Sequence, residues 1–519
     1  MGIVHVHSFF SADNVCMKTY KTLLSLEAFL TLVTTFLLIP LFQNGFDAIM
    51  QASGYAYLTS KNIGTFLGRP GIILLLLVFV LLLCFCALFE IGAVLAARHT
   101  HSAAAILSQS VHMSVRALRP QNTLLIPYLL FFAPFFNLGM TPALLTRFRI
   151  PPYWIDTLQS SPFLSAVTAM LLISLFVLYF KKLKTIPLIL TKDQSFLQAW
   201  KASSIDKKTV IRLLAAQLLF GLCQMMCTIA KGFPLLYVFL WFFIENMLLA
   251  VSYSLLSENM PASIPDHQPK HQKAWNVFLV VLSAGTVVYG LRTMPVLIET
   301  APLFSAHRGA SKEASENTLA AFEAAKKQDA DYIELDIRQA KDGTLFISHD
   351  DEFDQGVISE MDKEQIRALN KSMPTLDETL SWARTSGMKL IIEIKTEKDS
   401  FSPSLVRTLA GQIKEYGMED RCYAASFGIK NVQYLKELDP QIRTIALYTF
   451  AYGNFSSLKD IDAISVEAST ITPWLVQDAH KPVFAWTVNN ISEAKRLARI
   501  GVQNITTDDV KDLKKRIIP

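Results

Sequence analysis

Three carboxylates and two histidines stand apart from their apolar surroundings. Glu334 and Asp336 alternate with Ile333, Leu335 and Ile337. Side chains alternate across a strand, so both acids point to the face opposite the three apolar residues. Glu393 and Lys395 repeat the pattern against Ile392 and Ile394. Carboxylates that converge on one interior repel one another and rise in pKa unless a cation sits among them. An all-oxygen donor set suits Mg²⁺ or Ca²⁺ rather than zinc. Each acid alone could instead pair with Lys395 or Arg338, but recurrence on two strands favours a metal. His307 and His349 end runs of their own, and imidazole gains or loses a proton near pH 7.

These residues need a frame that collects strand ends. From about residue 303 the chain alternates short β-branched runs with charged helical stretches. Strands are expected at 303–307, 332–338, 390–395, 422–426, 444–448, 463–466, 483–488 and 504–507, with a short extra one at 344–349. Amphipathic stretches such as 319–327 and 492–500 carry apolar residues at helical spacing. Eight strands alternating with helices predict a (β/α)8 TIM barrel, whose chemistry sits at the C-terminal strand ends. An open doubly wound sheet is the alternative, but no Gly-rich dinucleotide fingerprint follows any strand. Glu316-Asn317-Thr318 opens the helix near Thr318, where Asn317 could cap it. Glu316 is also a site candidate.

The preceding half is a different kind of polymer. The chain of 519 residues is 51% hydrophobic and 18% charged, with a mean hydropathy of +0.32. Such values exclude a disordered chain. Residues 1–299 hold 21 Lys/Arg against 11 Asp/Glu, whereas 300–519 hold 28 against 33. We therefore expect an α-helical polytopic membrane domain over 1–299 and the barrel over 300–519. About seven apolar stretches reach or approach membrane-spanning length: 24–42, 71–97, 124–140, 163–180, 213–229, 235–256 and 277–297. Counted along such a seven-span chain, one side receives fifteen Lys/Arg, eight of them in 181–212, and the other six. The positive-inside rule then places the N-terminus in the cytoplasm and the barrel outside. Glu27 and Glu90 lie near span ends, where they reach the interface, while Gln217, Gln224 and Asn246 bond between helices and Glu245 completes the set of polar residues within spans. Cys223 and Cys227 read as small buried hydrophobes, and a lone Cys422 leaves the barrel without an internal disulfide.

Read together, Ala306-His307-Arg308-Gly309, Glu316-Asn317-Thr318, Glu334-Leu335-Asp336, His349-Asp350 and Glu393-Ile394-Lys395 resemble the signature of the glycerophosphodiester phosphodiesterases. The resemblance continues through Phe484-Ala485-Trp486-Thr487-Val488-Asn489 and Thr507-Asp508. The oily N-terminal half resembles the membrane domain fused to that enzyme in Gram-positive bacteria. The resemblance implies a Ca²⁺- or Mg²⁺-dependent barrel hydrolase with His307 and His349 as catalytic pair and Glu334, Asp336 and Glu393 as metal ligands. It implies that Arg308 and Lys395 hold the phosphate and that Trp486 contacts the glycerol side. After His349 the family often continues with a Pro and later Arg-Thr-Thr-x-Gly; this chain reads Asp350-Asp351-Glu352-Phe353-Asp354-Gln355-Gly356.

The chemistry agrees. A phosphodiester needs cations around its free oxygens, a base for the attacking hydroxyl and an acid for the leaving alkoxide. The leading expectation is a membrane-bound hydrolase that releases glycerol 3-phosphate from a glycerophosphodiester or lipid-derived substrate, in contact with membrane lipids and without a nucleic-acid partner. A lysophospholipase D is the alternative within enzymes. A phosphodiester-binding transporter or sensor is the alternative outside them, and two titrating histidines argue against it.

Overall fold

The computed structural model describes residues 29–97, 102–132, 162–227, 272–293, 301–353 and 356–517, with isolated positions besides. It forms two compact units. One comprises Met1–Phe46 and Gly71–Met294, the other Asp47–Pro70 and Pro295–Pro519.

The second unit holds β1 (Tyr57–Thr59), β2 (Leu303–His307), β3 (Tyr332–Gln339), β4 (Leu345–Ile347), β5 (Glu352–Phe353), β6 (Gly356–Val357) and β7 (Leu390–Ile394). It continues with β8 (Cys422–Ser426), β9 (Arg443–Tyr448), β10 (Ala451–Gly453), β11 (Ala463–Glu467), β12 (Val483–Trp486) and β13 (Asn504–Thr507). Eight of these are parallel and run β2-β13-β12-β11-β9-β8-β7-β3, and the β2–β3 pairing closes the ring. The expected (β/α)8 barrel is therefore what the sequence builds. β4 is the extra short strand, antiparallel to β3.

Alternation sorts the side chains into two layers. Ile333, Leu335, Ile337, Ile392 and Ile394 face outward into the helix-covered core. Tyr332, Ile391, Ala425, Ile445, Leu447 and Phe484 form a separate interior cluster. Glu334, Asp336, Glu393 and Trp486 share the parity of that interior cluster and stand nearer the C-terminal strand ends. Helix Leu319–Lys327 starts at Thr318, whose hydroxyl accepts from the Ala321 N–H at 3.3 Å. The cap is thus Thr318, which releases Asn317 for another role.

Among the described residues, four helices are long and apolar enough to cross a membrane: Phe29–Ala52, Pro70–Ala97, Ser165–Lys192 and Lys207–Cys227. Val277–Thr293 is a shorter apolar helix. The expected span at 124–140 is described only over Leu125–Phe132, and most of 235–256 lies outside the described residues, as do Cys16, Glu27, Glu245 and Asn246. The basic stretch 181–212 is helical rather than a plain loop. Helix Phe196–Ala202 opens with a Ser195–Gln198 capping box, and Arg116 and Arg119 pair with Asp193 at 3.1 and 3.4 Å. Glu90 is 4% exposed and borders a cavity of about 260 Å³ lined by Phe29, Phe85, Phe89 and Phe278.

Candidate active site

The three carboxylates meet because of strand register. β3 and β7 align Asp336 with Glu393, and β2 and β3 align His307 with Glu334. Glu334, Asp336 and Glu393 are all buried, and each offers an oxygen within 4.8 Å of the others. Two cations enter the cluster. Lys395 Nζ lies 2.6 Å from Glu393 Oε1 and 3.4 Å from Asp336 Oδ1. Arg308 Nε lies 3.4 Å from Asp336 Oδ2, while its Nη1 donates to Glu316 Oε1 at 2.9 Å.

The acids divide in their ionisation. Burial, reinforced by Asp336, pushes Glu334 up to about 7. Burial likewise pushes Glu393 up to about 8, against the pull of Lys395. Asp336 goes the other way: burial would raise it, but Lys395, Arg308 and the Asn317 amide together hold it below the usual carboxylate range. The upward shift expected of all three therefore holds for two. Three carboxylates against two fixed cations, all donors being oxygen, fit a hard divalent ion. Arg338, considered as a structural partner for the acids, donates instead to the His349 carbonyl at 2.8 Å.

The histidines sit in different settings. His307 Nδ1 faces Asp508 Oδ1 at 2.7 Å. Burial opposes its protonation, but the Asp508 hydrogen bond and Glu334 outweigh burial and raise its pKa. His349, in the connection after β4, faces Asp350 Oδ1 at 2.7 Å. Burial and then Lys395 lower its pKa. The loop bearing His307 is pinned by Gly309, whose φ is +84° and whose missing Cβ would stand 2.8 Å from the Ala321 backbone. Only glycine tolerates both constraints. The Arg308 N–H then donates to Glu334 Oε2 at 3.0 Å, tying the loop to the cluster.

The structure thus brings together Arg308, Glu316, Glu334, Asp336, Glu393 and Lys395 by direct contact, and His307 stands beside them through its register with Glu334. His349 joins through the fields of Lys395, Asp336 and Arg308. Trp486 ends β12 in register with Glu467, and its buried Nε1 has no hydrogen-bond partner among the described residues. Sequence reasoning offered Asn317 only as a helix cap and Asp508 only as part of the family resemblance, with no site role for either. Asn317 donates its amide to Asp336 Oδ2 at 2.9 Å and accepts from the Asp336 N–H at 3.3 Å. Asp508 follows the last barrel strand, holds His307 and is itself held by the Asn489 amide at 2.5 Å. Its place at a C-terminal strand end was the available signal. Of the unusual segment after His349, positions 354 and 355 lie outside the described residues; β5 and β6 on either side form a small antiparallel pair.

Comparison with known proteins covers both halves. Residues 307–512 match the glycerophosphoryl diester phosphodiesterase family, and residues 13–261 match the membrane domain of glycerophosphoryl diester phosphodiesterase. A glycerophosphodiester phosphodiesterase of Caldanaerobacter subterraneus subsp. tengcongensis is 31% identical over 233 residues, 41% of this chain and 96% of that protein. One of Bacillus altitudinis is 26% identical over 228 residues, 39% of this chain and 93% of that protein. A solved glycerophosphodiester phosphodiesterase of Parabacteroides distasonis covers 42% of this chain and 98% of its own, at 19% identity and a TM-score of 0.39. The family-model match and the 31%-identical relative show an enzyme, a phosphoric diester hydrolase, and the chain belongs to the glycerophosphodiester phosphodiesterase family.

Proposed function

We propose that this protein hydrolyses glycerophosphodiesters to an alcohol and glycerol 3-phosphate at a membrane, with a divalent cation held by Glu334, Asp336 and Glu393. The observation that carries the reading is the buried three-carboxylate cluster flanked by Arg308, Lys395 and the His307–Asp508 pair. When bound there, Ca²⁺ or Mg²⁺ supplies charge neutralisation at the phosphoryl oxygens.

The chain's own groups do the rest. Arg308 grips the phosphate through paired N–H donors, and Lys395 adds a point charge. His349, its pKa lowered by burial and Lys395, takes a proton at its free ring nitrogen from the water molecule whose oxygen forms the new P–O bond. His307, its pKa raised by Asp508, delivers a proton to the departing alkoxide oxygen as the P–O bond breaks. One proton is taken and one given, so the site returns to its starting state once the two imidazoles re-equilibrate with water. Trp486 lies against the glycerol arm, where its unpartnered Nε1–H can donate to a hydroxyl.

The reading includes a barrel on the extracytoplasmic side. The fifteen-to-six Lys/Arg asymmetry supports it. So does the shared unit of Asp47–Pro70 and the barrel, which calls for an even number of crossings between them. Assay of the full-length protein on glycerophosphocholine, with and without chelator, tests the function. Glycerol 3-phosphate release that stops on chelation and returns with Ca²⁺ or Mg²⁺ is expected; full activity after exhaustive chelation sinks the metal-dependent reading.

A further inference from the structure

The catalytic unit contains a segment that sequence order assigns to the membrane half. Asp47–Pro70 runs from the last turns of the apolar helix Phe29–Ala52 to the first residue of the helix Pro70–Ala97, yet groups with the barrel. β1 pairs antiparallel with β10, with Tyr57 opposite Gly453, Leu58 opposite Tyr452 and Thr59 opposite Ala451. The Ser60 N–H donates to the Phe450 carbonyl at 3.1 Å, and the Asn454 N–H to the Ala56 carbonyl at 2.9 Å. Leu58 and Phe66 are fully buried, and the Tyr57 ring stacks on Phe455 at 4.7 Å. Gly453, at φ +94°, makes room: a Cβ there would stand 2.6 Å from the Ala56 carbonyl. Asn62 closes the turn by accepting from the Thr59 N–H at 2.7 Å and donating to the Tyr57 carbonyl at 3.1 Å.

β10 follows β9, so this clasp sits at the C-terminal end of the barrel, where the site lies. Lys61 extends it further. Its Nζ is 2.5 Å from Asp399 Oδ2, in the connection after β7, and 5.9 Å from the ring of Phe427, which follows β8. Phe427 in turn meets Trp486 edge-on at 5.6 Å. One cation from far upstream thereby reaches the connections after two successive barrel strands and the aromatic neighbour of a proposed substrate contact. Its side chain is 47% exposed, so the charge stands open at the mouth.

We infer that residues 55–62 form a wall of the catalytic mouth and that Lys61 is a specificity-determining residue, setting the charge met by the diester arm that lies against Trp486. This rests on the proposed function. A glycerol arm bearing a further negative group meets an ammonium balanced by Asp399. With Lys61 reversed in sign, the same arm meets two carboxylates, and like charges brought together are costly.

The test uses full-length protein in detergent or native membranes. The substrates are glycerophosphocholine and its derivative phosphorylated on the far primary hydroxyl of the glycerol. Lys61→Glu is expected to lower the kcat/KM ratio of the phosphorylated over the plain substrate by about tenfold or more, and Lys61→Ala by less. An unchanged ratio in both variants overturns the role of Lys61. A second measurement concerns the wall itself. Thr59→Cys with Ala451→Cys places two thiols on directly opposed antiparallel residues, within disulfide reach. After oxidation and cleavage at a protease site inserted in 257–271, the two fragments are expected to stay joined until reduced; fragments that separate without reductant overturn the wall. Absence of diesterase activity in the unmodified protein would instead overturn the proposed function and the specificity role with it, an outcome the cross-link distinguishes because it needs no turnover.

Discussion

His307 and Asp508 lie 201 residues apart in sequence and 2.7 Å apart in space, ring nitrogen to carboxylate. The contact orients the imidazole and, against burial, raises its pKa. Asp508 acts through His307, and Asn489 holds Asp508.

Asp508→Asn should lower kcat by about 10²-fold or more, the scale of one impaired general acid. A general acid must be protonated, so activity falls as pH rises past its pKa. Without Asp508 that pKa drops, and the alkaline fall-off of the kcat profile should move to lower pH. A profile identical to the unmodified protein would remove Asp508 from the mechanism.

The carboxylate cluster predicts a pH-dependent response to metal. Burial raises Glu334 to about 7 and Glu393 to about 8. Their protonated forms are favoured in the folded state, so the stability they contribute is present below their unfolded pKa of about 4.3 and lost as pH rises through about 7 to 8. Asp336, held low, is ionised in both states across that window and adds no slope. The metal-free barrel should therefore melt at lower temperature at pH 8 than at pH 5.5, and Ca²⁺ or Mg²⁺ should raise Tm more at pH 8. Equal metal stabilisation at both values would contradict the assignment.

Single changes at the ligands separate binding from folding. Glu334→Ala, Asp336→Ala and Glu393→Ala should each reduce turnover by orders of magnitude and weaken divalent binding measured by calorimetry. Retained metal affinity in any one of them would exclude that residue as a ligand.

Asn317 is predicted to position Asp336 rather than to cap a helix. Asn317→Ala removes both amide contacts while leaving the Thr318 cap intact. Metal affinity should fall about 10- to 100-fold, the usual effect of losing a partner behind a ligand, with the far-UV circular dichroism unchanged. A loss of helix signal without loss of metal affinity would restore the capping role.

Membrane sidedness can be read chemically. Lys459 is exposed in the connection between β10 and β11. A cysteine placed there should react with an impermeant thiol reagent in intact cells, whereas one placed in 181–212 should react only after permeabilisation. Labelling of position 459 only after permeabilisation would put the barrel in the cytoplasm.

How much of this was legible in the chain follows from the range of the interactions involved. Strand alternation is local, so Glu334, Asp336 and Glu393 could be assigned to the barrel interior from their neighbours alone. The helix at 319–327, the short strand after β3 and the break between oily and charged halves are equally local, set by spacing and composition. What the tertiary structure decided is what depends on distant partners. Asp508 gains meaning only when β13 closes against β2 beside His307. Asp336 stays ionised because register brings Lys395 and Asn317 to it, so its pKa could not follow from the local acid spacing. Asp47–Pro70 reads as a short connection between two apolar helices, since nothing in its own sequence names β10 as a partner. Backbone pairing carries little side-chain information, and only the folded connection after β9 presents the strand β10 with which the segment pairs.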